Sequence, residues 1–145
     1  MMHTILIEKL RSYLVHNSPD ILIRLQHDFS LTQYLEDKVF QVMPLAEQLI
    51  AEQKPQYIIE ELCMDELTKD IRPSRFLYIR GLLEEEFRQT YERFREMGVL
   101  TYETINLIDA CNPVFDHIGF TEENEDDRQL RYAITGAISG YLEQN

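Results

Sequence analysis

The stretch Ser74-Arg75-Phe76-Leu77-Tyr78-Ile79-Arg80-Gly81-Leu82-Leu83-Glu84-Glu85-Glu86-Phe87 decides the fold class. Phe76, Ile79, Leu83 and Phe87 recur at steps of three and four, the spacing that keeps side chains on one face of an α-helix. Phe94 and Met97 extend the stripe, so the pattern predicts one helix over 74–97. Ser74 is placed to cap its start. Glu84 precedes Arg88 by four residues, a favourable helical ion pair. Gly98 suits the left-handed position that ends a helix.

Helical spacing extends outward in both directions. Leu6, Leu10, Tyr13 and Leu14 form a first stripe, broken at Asn17-Ser18-Pro19-Asp20. Ser18 can cap a helix over 19–27, with Pro19 at its first position, where the missing N–H is no loss. Ser30-Leu31-Thr32-Gln33 has the form of a capping box. The stripe after it runs Leu35, Val39, Val42, Met43, Ala46, Leu49, Ile50, and Pro44 within it predicts a kink near 40–44 or a new helix from 44. Lys54-Pro55 leads into a helix over 56–70, with Ile58, Ile59, Leu62, Cys63 and Leu67 inward, ended by Arg72-Pro73-Ser74. Beyond Gly98, Thr101 can cap a helix over 102–111 that Asn112-Pro113 ends, with a loop over 113–124. The acidic run Glu122–Asp127 then places negative charge at the start of a last helix over about 125–143, with Leu130, Ile134, Ala137, Ile138, Tyr141 and Leu142 inward. No strand-length alternation and no Asn-Gly or Asp-Gly hairpin signal occurs. The expected fold is all-α, a single compact multihelical domain over 1–145 with six or seven helices.

The chain carries 26 acidic and 14 basic residues, a formal net charge of −12. Residues 31–70 contribute −6, residues 99–145 contribute −7, and the six arginines of 71–98 leave that segment at +1. Such a balance argues against direct binding to duplex DNA or an anionic membrane, since both need a basic patch. Met1-Met2-His3-Thr4 leads straight into an amphipathic stretch, and no window is apolar for the length a bilayer requires. With two cysteines, Cys63 and Cys111, and no C-x-x-C, the expectation is free thiols in a reducing cytoplasm.

Catalytic and cofactor patterns are not seen. No histidine follows a glutamate by three, as paired helical metal sites require, and no glycine-rich phosphate loop occurs. Neither a cofactor nor a metal is expected. Cys111, read at a helix end near Asp109, sits where the dipole and a carboxylate disfavour a thiolate. Two local features stand out. Arg72 and Arg75, close in sequence at a break, are candidates to hold a carboxylate or phosphate, the plainer alternative being ion pairs with neighbouring acids. Ala133, Gly136, Ala137 and Gly140 make one side of the last helix slim, for tight packing within the monomer or for a dimer seam.

Four stretches together resemble an uncharacterised family of Bacteroidetes proteins of similar length, classed as a domain of unknown function. They are Leu10-Arg11-Ser12-Tyr13-Leu14 with Pro19; Glu61-Leu62-Cys63-Met64 leading into Ile71-Arg72-Pro73-Ser74; Leu82-Leu83-Glu84-Glu85-Glu86-Phe87; and Tyr132-Ala133-Ile134-Thr135-Gly136-Ala137-Ile138 with Tyr141-Leu142-Glu143. The chain departs from that family's pattern at Asp70, Arg72 and Tyr141. The resemblance implies a helical fold and a bacterial cytoplasmic setting, with genes often on conjugative mobile elements; it implies no activity.

Three functions remain. The first is a small cytoplasmic protein-interaction or accessory protein without catalysis, as a homodimer or with a protein partner. The second is an acidic DNA-mimic decoy, its negative faces at 36–70 and 103–127 occupying a nucleic-acid-handling protein. The third is an enzyme with a site assembled from dispersed residues.

Overall fold

Eight α-helices form among residues 1–144, the part of the chain that the computed structural model describes: α1 (Met2–Asn17), α2 (Pro19–His27), α3 (Leu31–Ala51), α4 (Gln56–Thr68), α5 (Arg75–Glu86), α6 (Arg88–Glu96), α7 (Leu100–Ile118) and α8 (Arg128–Gln144). One 3-10 turn, Lys69–Ile71, follows α4. No strand occurs among the described residues, so the all-α class holds.

The contacts gather the helices into two compact units, Met1–Arg72 and the chain from Pro73 onward, where the sequence reads as one domain. Helical periodicity fixes which face of a helix is apolar but not which neighbour covers it. In the first unit, α1 packs on α2, α3 and α4. Its ladder Leu6, Leu10 and Leu14 is fully buried with Leu35, Val39 and Ala46 of α3 and with Ile59, Cys63 and Leu67 of α4. In the second, α7 packs on α5, α6 and α8. Its core joins Phe76, Ile79 and Leu83 of α5, Leu107, Cys111 and Phe115 of α7, and Leu130, Ile134 and Ile138 of α8. Phe115, Tyr78 and Phe120 meet edge-on or tilted, with centroids 4.8–5.7 Å apart.

Three helices end in the same way. After α2, α3 and α6 a residue takes the left-handed conformation, and two N–H groups turn back to the last-turn carbonyls. At α6 the residue is Gly98, as expected, with Val99 N bonded to Phe94 O at 2.9 Å. At α2 it is Phe29 (φ 56°), with Ser30 N on Leu25 O at 2.9 Å; at α3 it is Gln53 (φ 60°), with Lys54 N on Leu49 O at 3.1 Å. Both carry a Cβ that this conformation disfavours.

Several boundaries differ from the sequence reading. The capping box at Ser30 does not form. Closure of α2 leaves Ser30 at φ −114°, ψ 6°, its hydroxyl donates to Leu25 O, and Gln33 bonds Asp37 instead. Ser18 stands before α2 without a side-chain cap, whereas Ser74 Oγ accepts from Leu77 N at 3.1 Å as expected. Neither proline ends its helix: α3 runs through Pro44 and α7 through Pro113. Each proline is exposed, as are Phe40 and Asp109, four residues earlier, so the carbonyl left without a donor can meet water. Val99, not Thr101, precedes α7. The expected helix over 74–97 breaks at Phe87 (φ −132°, ψ 51°). Three successive glutamates crowd the end of α5, opposing the helix dipole, and Arg131 of α8 holds Glu85 and Glu86 at 2.8 and 2.9 Å. Arg88 accordingly sits 3.8 Å from Glu84 but 2.9 Å from Glu92. The last helix starts at Arg128, outside the acidic run, and Asp127 Oδ2 caps it by accepting from Leu130 N at 3.0 Å.

Replacing Phe29 or Gln53 by glycine relieves the left-handed strain, and each change is expected to stabilise the protein by about 0.5–1 kcal/mol in urea unfolding. Ser74→Ala is expected to destabilise it by about 1 kcal/mol. Asp70 adds a pH dependence. Burial works against its charge, but the hydrogen bond and charge of Lys38, 2.9 Å away, outweigh this and draw its carboxyl below the usual range. Its folded pKa thus lies below its unfolded one. The stability it adds is present above the unfolded value and disappears as pH falls through the folded value. The thermal-stability gap between the wild type and Asp70→Asn should be open at pH 7, worth less than about 1 kcal/mol for so exposed a pair, and closed in strong acid.

Candidate interaction surface

Helix α8 turns Leu130, Ile134 and Ile138 fully inward, with Ala137 and Tyr141 packed at the edge of the same core. The opposite side is the line Gln129, Tyr132, Gly136 and Glu143, all exposed, with half-buried Ala133 and Gly140 beside it. A methyl group added at Gly136 or Gly140 meets no atom within 4 Å. Tight packing within the chain, one of the two readings of this slim stripe, therefore does not explain either glycine. Each costs a helix about 1 kcal/mol relative to alanine, and no neighbour among the described residues uses the space. Of the four stripe residues, Ala137 serves the core; Gly136 lies on the open side, with Ala133 and Gly140 along its flank.

Tyr132, 69% exposed, stands one turn before Gly136 and adds what sequence reasoning missed, an exposed aromatic side chain beside the slim side of the helix. Its position four residues before Gly136, off the Leu130–Ile134–Ile138 stripe, was the available signal.

Arg72 and Arg75 each hold groups of the chain itself. Arg72, in the first unit, donates to the Asp65 carboxylate at 2.9 Å and to the Asp65 carbonyl at 3.1 Å. Arg75, in the second, donates to Asn112 Oδ1 at 2.6 Å and Asp116 Oδ1 at 2.9 Å, with its guanidinium 4.9 Å from the centre of the Phe115 ring. The ion-pair alternative is thus realised at both.

The acidic face expected over 36–70 is matched by cations in part. Lys9 meets Glu60 at 3.0 Å, Lys38 meets Asp70, Lys69 meets Glu66 and Arg72 meets Asp65, and His3 Nε2 lies 3.1 Å from Glu36. Both cysteines are free and buried. Cys111 lies inside α7, not at a helix end, and burial pushes its thiol up to about 11. Cys63 is raised by the same cause. Among the described residues no three His, Cys, Asp or Glu side chains converge as metal ligands, and no helix is long and apolar enough to cross a membrane.

Since nothing crowds Gly136 or Gly140, Gly136→Ala and Gly140→Ala are each expected to stabilise the dilute protein by about 0.5–1 kcal/mol, measured by urea unfolding at low micromolar concentration. In comparisons with known proteins, no family model, curated protein or solved structure matches this chain.

Proposed function

We propose that this chain is a small cytoplasmic interaction protein without catalytic activity, which binds protein through the outer side of α8 and takes a second copy of itself as its first partner. The observation that carries the reading is the pair of glycines, Gly136 and Gly140, kept on a helix side where nothing in the chain needs their slimness. Small residues let two helix backbones approach closely, and a two-fold pairing sets each patch against its own copy. Exposed Tyr132 supplies the aromatic anchor that interface centres favour, and Ala133 keeps the flank narrow. Membership of the resembled Bacteroidetes family is compatible with this reading and adds no activity to it.

The decoy alternative has less in its favour. Phosphate mimicry needs unmatched carboxylates, and on the first of the two acidic faces Glu60, Asp65, Glu66 and Asp70 are tied to Lys9, Arg72, Lys69 and Lys38.

Sedimentation velocity over about 5–500 μM tests the proposal. A reversible monomer–dimer equilibrium in the micromolar range is expected, the strength of a modest interface. Gly136→Leu places a bulky side chain where two helices would meet and should shift the equilibrium toward monomer by tenfold or more, with unchanged helicity by circular dichroism. A monomer at every concentration, or a dimer indifferent to Gly136→Leu, overturns the α8 seam.

A further inference from the structure

A sharp break in a helix ordinarily falls at a proline, a glycine or an inserted group. Between α5 and α6 a single residue, Phe87 at φ −132°, ψ 51°, makes the break. No glycine or proline lies between Gly81 and Gly98. Phe76, Ile79, Leu83, Phe87, Phe94 and Met97 form one helical stripe straight across it. The bent chain uses that stripe only in part: Met97 is 65% exposed and Phe87 half-buried. A straight helix would pair the N–H groups of Arg88, Gln89 and Thr90 with the carbonyls of Glu84, Glu85 and Glu86. It would also leave those three glutamates mid-helix, away from a C-terminus that their charge opposes.

Tertiary contacts hold the bend. Arg131 of α8 binds Glu85 and Glu86, and Tyr91 and Phe94 of α6 are buried. The short connection Met97–Val99 ties the end of α6 to the start of α7. Arg75 bonds Asn112 and Asp116 of α7. Counted along the helix axes from that connection, a straight helix would put Arg75 about 32 Å away, while Asn112 and Asp116 stand about 18 and 24 Å up α7. Straightening therefore carries α5 more than one turn past its place on its own α7. Close-packed side chains cannot take such a step and keep their core, so a straight helix must lift α5 off its own α7 and α8.

We propose that Phe87 is the hinge of a domain exchange: residues 75–96 straighten into one helix, and α5 packs on α7 and α8 of a second copy. A second copy is the partner that fits, because it offers the same surface. Phe76, Ile79 and Leu83 leave a core made with Leu107, Phe115 and Ile134 and enter an identical one. The exchange is reciprocal, so the pair closes on itself and only the hinge changes conformation. It uses the inner side of α8 and is independent of a seam on the outer side. Since α5 must leave its core first, exchange is as slow as unfolding.

Size-exclusion chromatography of the full chain tests this. The protein is held at high concentration in mild urea, returned to buffer and diluted to low micromolar. A dimer that persists for hours after dilution is expected, and Gly136→Leu should leave it unchanged. Arg88→Pro puts proline at the first position of α6, which the bent form accepts, but inside a straight helix; it should lower the yield of persistent dimer tenfold or more. Arg131→Gln frees Glu85 and Glu86 and should raise that yield severalfold. Spin labels at Arg80→Cys and Arg93→Cys, both exposed sites, should lie farther apart in the dimer than in the monomer, near the axial separation of about 20 Å in a straight helix. Dimer that falls apart at once on dilution, a persistent dimer formed equally by Arg88→Pro, or one that keeps the monomer's label distance overturns the exchange.

Discussion

The hydrogen bonds that close α2, α3 and α6 carry the architecture. A helix can bury only one stripe, so an all-helical chain must stop each helix and redirect it before a core can exist. The left-handed residues Phe29, Gln53 and Gly98 do this, each followed by an N–H bonded back to the carbonyl five residues before it, at Leu25, Leu49 and Phe94. The bonds satisfy end groups that would otherwise need water. The Leu6–Leu10–Leu14 ladder can meet α3 and α4 because the first two closures turn the chain, and Leu107 and Cys111 can meet α5 because the third does. That two of the three positions lack glycine shows how strongly the packing on either side determines the backbone there.

Helical stripes were legible in the sequence because burial has a period, and the buried residues fall on it: Leu35, Val39, Val42, Ala46 and Leu49, and again Leu130, Ile134 and Ile138. Helix ends were less legible because several local signals compete there. Ser30 and Gln33 match a capping box, but the closure of α2 uses the Ser30 N–H and sets its backbone first. Pro113 looks like a stop, yet a proline on the solvent side removes only a bond whose acceptor water can serve. Leu62 was read as inward and is 44% exposed, because Cys63 and Ile59 fill the contact with α1. The division into two units could not be read from any one helix, since it is a property of which faces meet.

The candidate surface was half legible. Ala133, Gly136, Ala137 and Gly140 were visible as small residues, but only the structure separates Ala137, which packs, from Gly136, which faces open space. Arg72 and Arg75 looked alike in sequence and are alike in role, each neutralised by a carboxylate of its own unit.

Places where a sequence breaks a local rule without benefit to the fold point to selection for something else. Gly136 and Gly140 weaken α8 and relieve no crowding. Phe29 strains its backbone and leaves its ring 97% exposed. By the same reasoning the ion pairs are uninformative, since Arg131 with Glu85 and Glu86, or Arg75 with Asp116, offset local charge the fold itself creates.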